Sequence, residues 1–181
     1  MMNLFEGNYS NGPCMSADLY WGSSSHNTYL RNRVALDVSK TDDVVDFVLW
    51  KGQTYYNFVG NVLGVEGLET IYEENSPYNG KMIYSLDYTN YGSQDGKTAK
   101  TILRHGNYDY VNHNTIWDSG ITDRTIPNSY YLSEKPGWWG IISWPAIGPD
   151  CTPMSGEIPA KLRHDLKIAA PPPPQRLRFT K

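Results

Sequence analysis

The chain of 181 residues has few of the residues that usually announce a function. It holds only two cysteines, Cys14 and Cys151, each close to a proline and with no second ligand at metal spacing. That excludes a disulfide-dense scaffold and a zinc motif, and leaves a single pairing or two free thiols open. The four histidines, His26, His105, His113 and His164, form no H-E-x-x-H spacing, and no G-x-S-x-G run is present, so zinc and serine-nucleophile chemistries have no motif behind them. Charged residues make up only 19%, with 16 Lys+Arg against 19 Asp+Glu for a net charge of −3. A chain so balanced sets up no strong field for polyanions, so nucleic acid is not expected as a partner. No apolar run approaches the roughly 20 residues of a transmembrane helix, so no membrane span is expected. The first six residues, MMNLFE, have no basic n-region or apolar h-region and do not read as a signal peptide. Helical periodicity is scarce, with only 97–103 suggesting a short turn.

What the chain does have is asparagine and aromatic rings: 14 Asn, 14 Tyr and 6 Trp, within a length that fits one domain. A repeat organises them. Asn3-Leu4-Phe5-Glu6-Gly7-Asn8 resembles Asn27-Thr28-Tyr29-Leu30-Arg31-Asn32 and Tyr56-Asn57-Phe58-Val59-Gly60-Asn61, with a weaker fourth copy at Ile102-Leu103-Arg104-His105-Gly106-Asn107. The terminal asparagines Asn8, Asn32, Asn61 and Asn107 are separated by 24, 29 and 46 positions, the last close to two periods of 23. Three positions before each stands an aromatic, Phe5, Tyr29 or Phe58, replaced in the fourth copy by Arg104. A period in the low twenties with short β-type segments predicts stacked coils. Asparagine suits their bends because it tolerates a left-handed backbone and can bond its amide to the amide one coil above, forming a structural ladder. Trp21 and Trp50 each precede their asparagine by 11 positions, which predicts vertical neighbours, and Leu19 and Val48 match in the same way.

The expected fold is therefore all-β: a partial right-handed parallel β-helix of about four to six coils, with an irregular C-terminal covering segment. The coils and cover occupy 1–168, with a long insertion near 63–98 that encloses a strand at 82–88, and a covering segment at 118–165. That segment is rich in turns and rings, which should bury themselves on a preformed surface. Residues 169–174, ending in four prolines, read as an extended linker. Residues 175–181 read as the stub of a following module.

Asn27 to Asn32, Gly60-Asn61-Val62-Leu63-Gly64, the run from Leu103 to Val111 and the run Ile126-Pro127-Asn128-Ser129-Tyr130-Tyr131-Leu132-Ser133-Glu134-Lys135-Pro136 resemble the C-terminal part of secreted bacterial right-handed parallel β-helix proteins of the pectate-lyase-like superfold. The resemblance covers roughly 3–165. It implies secretion, a polysaccharide partner, linked modules such as fibronectin type III after the proline run, and, in the lyases, calcium held by acidic residues; the sequence itself shows no evident cofactor.

Direct signs of catalysis are thin. Lys51, Arg31, Arg33 and Arg104 are the available bases, but the Asp-His pair and the Arg-Pro-x-x-Arg run of such lyases are missing. Glycoside hydrolysis needs two carboxylates about 5 to 9.5 Å apart. Asp18 and Asp46 are the tempting pair, but they precede their asparagines by 14 and 15 positions, so a strict register puts them on opposite faces. A lyase or hydrolase would then keep its catalytic residues outside this segment. Binding is the better-founded use: Trp21 and Trp50, with Tyr20 nearby, predict a platform for sugar rings, against the plainer alternative that both rings are buried. The competing role is a non-catalytic surface, adhesive or tailspike-like module.

Overall fold

The computed structural model describes residues 2–12, 14–75 and 80–166, so the proline linker and the terminal stub lie outside the described residues. Its strands are β1 (Leu4–Glu6), β2 (Tyr9–Ser10), β3 (Met15–Ala17), β4 (Thr28–Leu30), β5 (Arg33–Val34), β6 (Val44–Trp50), β7 (Asn57–Val59), β8 (Val62–Leu63), β9 (Ile71–Asn75), β10 (Lys81–Tyr88), β11 (Leu103–His105), β12 (Asn107–Asp109) and β13 (Asn114–Ile116). Two α-helices, α1 (Lys97–Thr101) and α2 (Pro159–Leu166), and a 3-10 turn at Gly137–Trp139 complete it.

The structure corrects the expected fold class. In place of an all-β, right-handed parallel β-helix, the chain forms three mostly parallel sheets with some helix, ordered β1-β4-β7-β11, β3-β6-β10-β9 and β13-β12-β8-β5-β2. Two features break the regular stacking that the repeat predicted. The 63–98 stretch is no simple insertion: it supplies β10, paired in parallel with β6, and β9 on the far side of β10, out of chain order. The third sheet ends on β13, antiparallel to β12. The strand expected at 82–88 is β10, but the spacing carried no information on β9, which arises between the third and fourth copies, or on β13, which follows the last. Helix α1 falls where a short turn was expected, whereas α2 was not foreseen although Pro159 opens it and Lys161 pairs with Asp165 one turn later.

The asparagines do bond to one another along the sheets. Asn8 Nδ2 donates to Asn32 Oδ1 (2.9 Å), Asn32 Nδ2 to Asn61 Oδ1 (3.0 Å) and Asn61 Nδ2 to Asn107 Oδ1 (2.8 Å). Each acceptor oxygen also takes the backbone N–H of the preceding asparagine. The second amide proton goes to the carbonyl of an aromatic residue: Phe5 for Asn32, Tyr29 for Asn61 and Phe58 for Asn107. Asn61 thus uses its full capacity of two donors and two accepted bonds, which is what makes a wholly buried amide tolerable. One detail departs from expectation. The left-handed residue is the one before each asparagine: Gly7, Arg31, Gly60 and Gly106, with φ of 66°, 52°, 61° and 68°.

The rings stack in the same register, Phe5 on Tyr29 at 4.7 Å and Tyr29 on Phe58 at 5.2 Å. The stack ends at Arg104, the backbone partner of Phe58, whose guanidinium lies over Tyr84 and Tyr72 and pairs with Glu73. The main core forms around Phe47, Phe58, Tyr84 and the aliphatic residues of β6 and β10. Every residue of β6 is buried, as a central parallel strand covered on both faces requires.

Candidate functional site

The Trp21–Trp50 platform does not form. β3 aligns with β6 as Ser16↔Val48 and Ala17↔Leu49, three places away from the predicted Leu19↔Val48 match. Trp50 is 5% exposed, packed between the rings of Tyr20 and Tyr88, while Trp21 is 98% exposed and the two do not share a stack. Of the three predicted binding residues, only Trp21 and Tyr20 remain accessible. Asp18 is exposed and accepts from the Tyr20 N–H, whereas Asp46 is wholly buried, so the hydrolase pair is not assembled.

The larger cleft is built instead by the covering segment. Its path follows from the left-handed turns. Gly106 and Gly60 have no side chain, and the space a Cβ would fill is taken by Trp117 Cζ3 (2.8 Å from the Gly106 position) and by Ile126 Cγ2 (2.5 Å from that of Gly60). The next turn carries Arg31. Its Nε donates to Pro127 O (2.7 Å), Nη2 to Ile126 O (3.0 Å), and Nη1 to Ile147 O (2.9 Å). Nη1 and Nη2 also bond Oδ1 and Oδ2 of Asp150 at 2.7 and 2.8 Å. In the first copy, Glu6 Oε2 accepts from the Tyr130 N–H at 2.9 Å. Residues 117–130 therefore cross the four turns in order, from the last copy to the first, and 144–158 return over Val62 through Ala146, Ile147 and Ile158.

Between the first turn and this cover lies a cleft of about 560 Å3. Its lining takes Leu4, Glu6 and Gly7 from the first copy, Arg31 from the second, and Asn128, Tyr131, Leu132, Trp138, Trp139 and Trp144 from the covering segment. The rings were expected to bury themselves, but they divide the work. Trp139 is the anchor: half-buried, it donates Nε1–H to Ser143 O (2.8 Å) and packs against the Ile147 cluster. Trp138, 5.5 Å from it, is 65% exposed, and Tyr131 is 82% exposed. A second cleft of about 550 Å3 adjoins the first, sharing Asn128, Pro145 and Ala146, and is lined on its other side by Asp150, Cys151 and Glu157. Sequence reasoning missed Glu6, Asn128, Tyr131 and Trp144; the available signal was the density of rings between 130 and 144.

The cleft's electrostatics are simple. Burial pushes the Asp150 carboxyl up, but the hydrogen bonds and positive charge of Arg31 outweigh it and hold it below the ordinary range. Arg31, 2% exposed, spends its donors on protein atoms, leaving Glu6 as the one carboxylate of the first cleft. Burial pushes both thiols up, Cys14 and Cys151, and both are free, so neither is primed as a nucleophile. Other buried acids lie away from the clefts. Burial and the negative charge of Glu69 drive the Asp46 carboxyl well above its ordinary range, and burial raises Glu69 too. Arg33, near both, donates to the carbonyls of Val34, Val62 and Gly64.

Among the described residues, no group of three or more His, Cys, Asp or Glu side chains is placed to hold a metal ion, so the calcium implied by the lyase resemblance finds no fitting acidic cluster. No described helix is long and apolar enough to cross a membrane. No protein-family model matches the chain, and neither a curated protein nor a solved structure shows significant similarity to it.

Proposed function

We propose that the protein binds polysaccharide through the aromatic cleft between Glu6 and Trp144, without cleaving it. The observation that carries this reading is the convergence of Tyr131, Trp138, Trp139 and Trp144 on one cleft whose polar side chains are few: Glu6, Asn128 and the engaged Arg31. Flat rings offer large, stiff faces to the C–H faces of sugar rings, while a small number of placed polar groups fix orientation. The volume is within the range of about 300–1,000 Å3 typical of small-ligand sites. Hydrolysis by the usual route requires a second carboxylate about 5 to 9.5 Å from the first, and the first cleft provides only Glu6. Elimination would need a free base, and Arg31 is held by Asp150 and three carbonyls.

A glycan array followed by titration on intrinsic tryptophan fluorescence tests the reading. Trp138→Ala and Tyr131→Ala should each weaken binding about tenfold or more, while Trp21→Ala, outside the lining of either cleft, should leave it unchanged. Loss of binding in Trp21→Ala with retention in Trp138→Ala would overturn the proposal.

A further inference from the structure

Of the charged described side chains that line the two adjoining clefts, three are acidic and one is basic. Glu6 lines the first; Asp150 and Glu157 line the second. The side chain of Asp150 is 47% exposed, but its charge is offset by the two-point pair with Arg31, which leaves Glu6 and Glu157 as the carboxylates without a cation among the lining side chains. Among the described residues Arg31 is the only cationic side chain in either lining, and its donors face Pro127, Ile126, Ile147 and Asp150 inside the protein. The described lysines line neither cleft: Lys135 donates its ammonium to the carbonyl of Ile142 at the edge of the second (2.7 Å), and Lys161 pairs with Asp165.

From this we infer that the paired clefts select uncharged linear glycans and reject chains of uronic acid. The inference rests on the polysaccharide reading and narrows it. A uronate carries a carboxylate on each sugar, so a chain lying over the shared wall of Asn128, Pro145 and Ala146 would bring like charges toward Glu6 on one side and toward Glu157 on the other. Like charges placed together at a binding surface are a strong means of rejection, whereas a neutral chain meets carboxylates that accept hydrogen bonds from its hydroxyls.

The test uses the whole chain and matched arrays of linear oligomers two to six units long, one of neutral hexoses and pentoses and one of uronates. The expected result is binding to neutral oligomers, with uronates about tenfold or more weaker at low salt and the gap narrowing as ionic strength rises. Glu6→Gln combined with Glu157→Gln should bring the ratio of neutral to uronate affinity toward one, whatever it does to the absolute affinity for neutral chains. Uronates binding as well as neutral chains, or a preference untouched by the double substitution, would overturn charge selection while leaving the polysaccharide reading intact. Binding to neither array would remove both.

Discussion

Arg31 and Asp150 form a two-point ion pair, Nη1–Oδ1 at 2.7 Å and Nη2–Oδ2 at 2.8 Å, between the second copy of the repeat and a segment 119 residues later. The pair is one-sided in exposure: the guanidinium is buried and the carboxylate is half-open. Its value lies less in the attraction than in what removal would leave behind, since carbonyls of Ile126, Pro127 and Ile147 also depend on the same guanidinium. Arg31→Ala should therefore cost about 3–5 kcal/mol in denaturant unfolding. Arg31→Lys should recover little of it, because an ammonium cannot reproduce the planar fork. Urea midpoints of the two variants against the parent check both statements.

The central asparagine should matter more than the outer one. Asn61 is buried, with two donated and two accepted side-chain bonds, whereas Asn8 is exposed and donates only to Asn32 through its side chain. Asn61→Ala should cost about 2–4 kcal/mol and Asn8→Ala about 1 kcal/mol or less, at roughly 1 kcal/mol per bond. Asn61→Asp should be worse than Asn61→Ala, because it places a carboxylate against Asn107 Oδ1 and the Tyr29 carbonyl. Equal losses at Asn8 and Asn61 would contradict the ladder as the source of stability.

Gly60 separates two costs that a mutant cycle can resolve. A methyl there would meet Ile126 Cγ2 at 2.5 Å, and its φ of +61° already disfavours a side chain. Gly60→Ala alone should show both penalties. In the background of Ile126→Ala, which removes that methyl, it should show only the backbone term of about 1 kcal/mol. The coupling between the two substitutions, read from chemical denaturation, should be clearly nonzero.

The buried acids predict a pH dependence of definite sign. Asp46 and Glu69 have folded-state values raised above the ordinary 3.8 and 4.5, so the folded state holds their protons longer than the unfolded chain does. Their contribution is full below the ordinary values and is lost as pH rises toward the raised ones. Asp150 acts oppositely: its lowered value gives stability that is present above 3.8 and lost as pH falls through the folded value. Asp46→Asn should flatten the decline above about pH 4, with the loss at lower pH retained. Unfolding free energies measured from pH 3 to 8 would show a persistent decline if Asp46 were not its source.

The parts of this molecule that repeat could be read from the sequence, and the parts that depend on one long-range meeting could not. The asparagine contacts and the Phe5–Tyr29–Phe58 stack sit at fixed distances from their own turns, so counting from the turn succeeds. Counting farther back fails at Trp21 and Trp50. From Ala17 to Thr28 the chain takes 11 steps, but from Leu49 to Asn57, the residues paired with them, it takes 8. Those three extra residues put Trp21 in solvent and Trp50 in the core. The cleft was hidden for another reason: residues 118–158 have no periodicity, and their path is set by bare glycines and one arginine in the turns between other strands. Asp46 illustrates the limit of register, which separated it from Asp18 but gave no sign of Glu69 nearby.

The four left-handed turns also work as an address. Three of them, Gly7, Gly60 and Gly106, present no side chain, and Arg31 alone projects one. A cover displaced by one copy would set Asp150 over a glycine, with a carboxylate turned inward and no cation to meet it. Displaced toward the first copy, Ile126 would also leave the bare surface at Gly60 and meet the Arg31 side chain. A near-identical row of turns, which by itself offers several equivalent landing sites, is thereby reduced to one, and the aromatic cleft can be assembled in a single place.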